Sequence, residues 1–133
     1  MKIDSHQHFW NYDVNRHTWI SDEMSVLKKD FLPQDLAPIL HRYGIEGCVS
    51  VQADHSEQET EYLLSFAEGY QFIKGVVGWV DLTAKDVEDR LFHFKQFSKL
   101  KGVRHALQDE ADPDFMLRAD FMHGISQLKK FDL

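Results

Sequence analysis

A single cysteine, Cys48, is all the sulfhydryl this 133-residue chain contains, so no intrachain disulfide can staple the fold. That usage fits a reducing cytoplasm. Within the apolar stretch Ile45 to Val51, Cys48 reads as a small buried core residue, the usual fate of a free cysteine. Basic residues are also scarce: 15 Lys and Arg stand against 22 Asp and Glu, a formal net charge of −7. No basic stripe is present to neutralise a phosphate backbone, which excludes nucleic acid and anionic membrane as expected partners. No apolar run approaches membrane-spanning length, and no basic segment leading into a long apolar run opens the sequence. The expectation is a soluble cytoplasmic protein. The chain also lacks low-complexity tracts, internal linkers, a glycine-rich turn after its first strand, and any nucleophilic serine or cysteine arrangement. Residues 1–133 read as one globular domain, long enough to bury roughly two-thirds of its unfolded surface.

What is present begins with Ile3-Asp4-Ser5-His6-Gln7-His8-Phe9-Trp10. Successive side chains of a strand alternate faces, so His6 and His8 project from the same side with their imidazoles close together. Neutral imidazole is a common ligand for zinc and similar divalent ions, and a tetrahedral site needs further ligands from elsewhere. The same spacing also suits two half-exposed strand residues with no special role, so the pair alone leaves both readings open.

The rest of the chain repeats one order of elements. Lys2 to His8 is a strand, followed by a long polar and aromatic stretch from Asn11 to Pro33; connections of that length are often functional. The pattern predicts a helix over Leu36 to Tyr43, entered through Pro33 and Asp35 and closed by Gly44. A strand over Ile45 to Gln52 follows. Ser56 and Glu59 then form a capping-box pattern, and Leu63, Phe66, Ala67 and Tyr70 recur at helical spacing. Phe72 to Val80 is almost continuously apolar, as in a strand covered on both faces. Thr83 with Asp86 opens a third helix whose stripe is Val87, Leu91, Phe94 and Phe97. Leu100 to Leu107 is a fourth strand, Asp120 to Leu128 a helix interrupted by Gly124, and Phe131 to Leu133 the start of a fifth strand. Strand-helix alternation calls for right-handed crossovers and a parallel sheet. An open doubly wound sheet would need a reversal of strand order, and a nucleotide-binding version would place a glycine-rich phosphate turn where His6-Gln7-His8 stands. In a β/α barrel the reactive groups lie at the C-terminal strand ends, where the two histidines fall. The expected fold class is α/β, the first four βα units of a (β/α)8 TIM barrel with parallel strands. Since such a barrel takes about 250 residues, the chain looks truncated.

Four segments carry a family resemblance: Ile3 to Trp10, Val51-Gln52-Ala53, Gly75 to Leu82, and Lys101-Gly102-Val103-Arg104-His105. In this order they resemble the strand ends of the amidohydrolase superfamily, in the branch of sugar-lactone hydrolases that act on L-rhamnonolactone and L-fuconolactone. The resemblance implies water attack on a lactone carbonyl, with the ring opening to a hydroxy acid. It matches His6 and His8 to the paired histidines that bind a divalent metal in many members, zinc foremost. Other members work without a metal, and their histidines contact substrate or water. A decarboxylase of the same superfamily is the alternative activity.

Arg104 is the next candidate, since a guanidinium can clamp a carboxylate or support charge on a carbonyl oxygen. His105 could share substrate binding, but adjacent strand residues face opposite ways and Arg104 is favoured for the interior. Trp10 and Gln52 sit just past strand ends, placed to stack on a sugar and to hydrogen-bond it. His55 lies in a loop of the right position, and Asp81 reads equally as site or turn residue. His41, His93 and His123 read as helix-surface or packing residues, and His17 falls in the long connection without an assigned role. The family's later strands add a histidine and an aspartate that nothing here matches. A C-terminal half, or a second copy in a homodimer, would close the barrel; a noncatalytic half-barrel binding a partner through its sheet edge is the third course.

Overall fold

A computed structural model describes residues 1–133. Its elements are β1 (Ile3–Gln7), α1 (Pro33–Arg42), β2 (Gly47–Val51), α2 (Glu57–Gly69), β3 (Ile73–Gly78), α3 (Val87–Lys95), β4 (Leu100–Val103) and α4 (Ala119–Leu128). The four strands are parallel and pair in the order β1-β2-β3-β4. That order never reverses. A doubly wound sheet requires a reversal, so this is the winding of a β/α barrel, represented by four of its eight units.

Local chemistry sets the helix ends. After α1, Gly44 adopts φ +62°, its N–H donates to the His41 carbonyl, and the Ile45 N–H donates to the Leu40 carbonyl. This is the double-bonded left-handed closure for which glycine is suited. At α2 the capping box forms only by half. The Ser56 hydroxyl accepts the Glu59 N–H, but the Glu59 carboxylate reaches past Ser56 to accept the N–H groups of Ala53 and Asp54 at 3.0 and 2.9 Å. Glu59 thereby ties down the loop after β2. Thr83 does not help to open α3; its N–H and hydroxyl both donate to Asp81 Oδ1, closing a turn. Asp81 is thus occupied as a turn residue.

Most boundaries shift by one to three residues, and three segments near the C-terminal end depart further from the sequence expectation. Strand β4 ends at Val103, because the Arg104 N–H makes the last link to the Gly78 carbonyl and a short 3-10 turn begins at Leu107. Helix α4 runs through Gly124 without interruption. A Cβ there would stand 2.0 Å from the Leu82 carbonyl oxygen, so this glycine permits close approach of helix to loop. Phe131 to Leu133 does not begin a strand: Lys129–Phe131 is a 3-10 turn, Asp132 is left-handed at φ 57°, and the Leu133 N–H returns to the Leu128 carbonyl.

The core lies between the sheet and its helices, built from Leu63, Leu64, Ile73, Val76, Leu91 and Phe94 with their neighbours. Cys48 is buried in it as expected, and burial pushes its thiol pKa up to about 11. Thr60 stitches α2 to the end of β3, its hydroxyl accepting the Trp79 N–H and donating to the Trp79 carbonyl. The long connection of residues 11–32 is pinned by reciprocal backbone bonds between Trp10 and Phe31. No helix is long and apolar enough to cross a membrane.

Candidate functional site

At the C-terminal edge of the sheet, His6 and His8 converge. Their Nε2 atoms stand 3.1 Å apart with ring centroids at 4.8 Å. The register of β1 against β2 slips by one residue between Asp4 and Gln7, a bulge of the kind that re-aims side chains near reactive sites. His8 Nδ1 lies 2.9 Å from the Val51 carbonyl oxygen. A carbonyl only accepts, so Nδ1 carries the proton and Nε2 presents its lone pair. Burial lowers the His8 pKa, and the nearby His6 and Arg104 charges add to this, so the ring is neutral at pH 7.

Arg104 comes in from the end of β4. Its Nη1 donates to the backbone oxygen and Oε1 of Gln52, at 3.3 and 3.1 Å. Arginine cannot accept, which fixes the amide orientation: Oε1 faces Arg104 and Nε2 points elsewhere. That Nε2 is buried and has no hydrogen-bond partner. An orphaned buried donor costs about 1–3 kcal/mol, a cost that a ligand oxygen would relieve.

A cavity of about 410 Å³ is lined by His8, Trp10, Gln52 and Arg104 together with Trp19 and Asp109. His6 stands beside His8 rather than in this lining. The Trp10 indole donates to the Lys29 carbonyl, which locks its ring into the wall. The structure does not bring His105 to this cavity. Both residues lie past the end of β4, and the His105 side chain packs away from that of Arg104. Trp79 Nε1–H donates to His105 Nδ1 at 3.1 Å, and His105 Nε2 lies 2.6 Å from Glu110. The ring stacks on Phe115 and meets Phe121 edge-on.

The donor set of His6 and His8 fits a divalent ion. Two nitrogens on one tetrahedral zinc, each bound at about 2.0–2.1 Å, lie roughly 3.3 Å apart, close to the spacing already present. The Val51 carbonyl behind His8 is the outer partner such a ligand needs to hold its tautomer. No third histidine, cysteine or carboxylate atom joins the pair, so it supplies half of a tetrahedral set. His55, His105 and Glu110 do cluster within 4.8 Å. There, however, His105 Nδ1 takes the Trp79 N–H, its Nε2 is bonded to Glu110, and His55 Nε2 takes the Ala106 N–H, leaving few lone pairs for a metal.

Trp19, Asp109 and Glu110 were not legible as site residues. Trp19 is one of many polar and aromatic residues in the long connection, and the two carboxylates lie in a loop with no motif spacing. Of the remaining histidines, His17 is buried with its Nδ1 against Asp13, and His41, His93 and His123 sit on exposed helix positions.

A parallel sheet wound in the order β1-β2-β3-β4, with a convergent histidine pair at its first strand end and an arginine just past its fourth, is part of a β/α-barrel scaffold. Residues 3–133 match the amidohydrolase family model, and the chain belongs to that family. It is 41% identical over 133 residues to L-fucono-1,5-lactonase from Burkholderia multivorans, covering 99% of this chain and 45% of that protein. Against L-fucono-1,5-lactonase from Burkholderia ambifaria the identity is 38% over 115 residues, covering 86% of this chain and 40% of the relative. A crystal structure of an amidohydrolase from Burkholderia multivorans with bound zinc superposes with a TM-score of 0.94 at 41% identity, over 99% of this chain and 46% of that one. The chain therefore spans less than half the length of these relatives.

Proposed function

We propose that this chain contributes the first four βα units of a barrel enzyme that hydrolyses a sugar lactone to its hydroxy acid, with L-fucono-1,5-lactone as the first substrate to test. The observation that carries the reading is the meeting of the His6–His8 pair with a cavity lined by His8, Arg104 and Gln52, whose buried Nε2–H, held in place by Arg104, lacks an acceptor. The likeness to two L-fucono-1,5-lactonases supports it. Further βα units, of the kind the longer relatives have room for, would cover the free edges of β1 and β4.

His6 and His8 would hold zinc through Nε2. Such an ion, when bound, polarises a carbonyl and lowers the pKa of a water molecule toward neutrality. The Val51 carbonyl keeps the His8 proton on Nδ1, so the Nε2 lone pair stays aimed at the reacting centre. Arg104 brings a permanently charged guanidinium to the wall where the carbonyl oxygen gains negative charge. Gln52 Nε2–H donates to a substrate oxygen and orients the ring. Trp10 offers an apolar face to the sugar carbons. His105 braces the loop after β4 from behind. With a lone buried thiol and no disulfide, the protein is suited to a reducing cytoplasm.

Acid release from L-fucono-1,5-lactone, followed by pH-stat on the protein as its source cells make it, tests the reading. Activity that disappears in the His6→Ala, His8→Ala double variant is the expected result. Unimpaired hydrolysis by that variant, or release of carbon dioxide from an unsaturated acid in place of lactone opening, overturns it.

A further inference from the structure

A second cavity of about 330 Å³ adjoins the first and is lined by Thr18, Asp54 and His55 together with four residues common to both, Trp19, Ala53, Ala106 and Asp109. The two form one groove, with His8 and Arg104 at one end and His55 at the other. We propose that this far end is a hydroxyl-binding subsite in which His55 Nδ1–H donates to a ligand hydroxyl, Asp109 accepts from one, and Trp19 covers the carbon face. The proposal rests on the lactone reading of the neighbouring cavity and adds where the substrate's remote hydroxyls go.

The argument starts from the His55 tautomer. Its Nε2 accepts the backbone N–H of Ala106 at 3.1 Å. An amide N–H only donates, so Nε2 carries a lone pair and the proton of the neutral ring is on Nδ1. Burial lowers the His55 pKa and the neighbouring His105 acts in the same direction, which keeps the ring neutral against the opposing pull of Glu110, Asp109 and Asp54. Nδ1 has no hydrogen-bond partner in the protein and is not among the buried orphaned atoms, so it opens to solvent in the groove.

The ring is also held rigidly. It stacks on Trp79 with centroids 5.7 Å apart and planes 12° apart, and lies 4.3 Å from the His105 centroid. His105 is in turn fixed by Trp79, Glu110 and Phe115. A donor whose orientation and proton are set in advance loses little freedom when it binds. In the same lining, Asp109 is exposed and its carboxylate has no hydrogen-bond partner, and Trp19 remains 43% exposed despite its size. A fixed donor, a free acceptor and an open indole face suit a polyhydroxylated carbon chain, since each hydroxyl both donates and accepts.

Side-chain imidazole NMR of the ¹⁵N-labelled protein tests this, with L-fuconate and 5-hydroxypentanoate as probes. Both probes carry the carboxylate of an opened lactone, but only L-fuconate carries the additional hydroxyls. The free protein should show His55 protonated at Nδ1. L-Fuconate should shift both His8 and His55, and 5-hydroxypentanoate His8 alone. His55→Phe should weaken L-fuconate binding about tenfold, the worth of one good hydrogen bond, without changing 5-hydroxypentanoate. His55→Gln, which can accept from Ala106 and donate outward, should restore most of the loss and shows that the position tolerates substitution. A His8 shift with His55 unmoved, or equal weakening of both probes in His55→Phe, overturns the subsite and leaves the lactone reading standing. A His55 shift with His8 unmoved overturns the lactone reading and keeps the subsite.

Discussion

His8, just past β1, and His105, just past β4, put the same side chain into opposite chemical situations. Each has one nitrogen tied to a neighbour: the Val51 carbonyl for His8, the Trp79 indole for His105. They differ in the other nitrogen. His8 Nε2 meets only the Nε2 of His6, 3.1 Å away beside a cavity, a contact that both rings can exchange for a shared ligand, whereas His105 Nε2 is bonded to Glu110 and its ring is enclosed by Phe115 and Phe121. Burial alone does not separate them. What the second nitrogen faces does, and it suits His8 to holding a ligand and His105 to support.

The comparison breaks most severely at His8. His8→Ala should lower lactone hydrolysis by on the order of 10²–10⁴-fold, far more than the about 1–3 kcal/mol of stability lost with its bond to the Val51 carbonyl would account for. Retained turnover, measured by acid release, would contradict that. Arg104→Lys should cost about 10²–10³-fold in kcat, because an ammonium cannot keep the planar fork that holds Gln52 and still serve an oxygen in the cavity.

Glu59 anchors the loop from which both Gln52 and His55 project, and desolvation pushes its pKa from the ordinary 4.5 up to about 7. Between those values the folded protein holds a proton that the unfolded chain has released, so stability falls as pH rises through that window. The change amounts to roughly 3 kcal/mol over the window. Urea midpoints at pH 4.5 and 8, compared with Glu59→Gln, should show this slope in the wild type and its loss in the variant; parallel profiles would rule Glu59 out as the source.

The smallest effect belongs to the supporting end. Trp79→Phe removes the donor to His105 Nδ1 and should cost about 1–3 kcal/mol of stability, read by urea denaturation, with kcat changing less than KM as the groove wall loosens. A kcat loss comparable to that of His8→Ala would erase the distinction between the two ends.

Much of the fold was legible because it rests on near neighbours. Gly44 marks its own left-handed helix end, Ser56 caps α2, and the two-residue spacing of His6 and His8 brings their rings together. The misread segments were those in which a distant contact overrides local pattern. Gly124 looked like a break but is the point where α4 meets the Leu82 carbonyl, and Glu59 looked like one half of a capping box but instead holds Ala53 and Asp54. The site was half legible for the same reason. His6, His8, Gln52 and Arg104 could be picked out by strand position, whereas Trp19 and Asp109 reach the groove only because the long connection and the loop after β4 fold over the strand ends.

By itself the sequence determined the βα order and the convergence of the histidine pair, since alternation and capping act over two to five residues. Only the tertiary structure decided which nitrogens are free to act. The His8 proton is set by a carbonyl 43 residues away, the Gln52 amide by a guanidinium 52 residues away, and the His55 proton by an N–H 51 residues away. A ring's tautomer and an amide's orientation follow from their hydrogen-bond partners, and here those partners meet only when the parallel strands align.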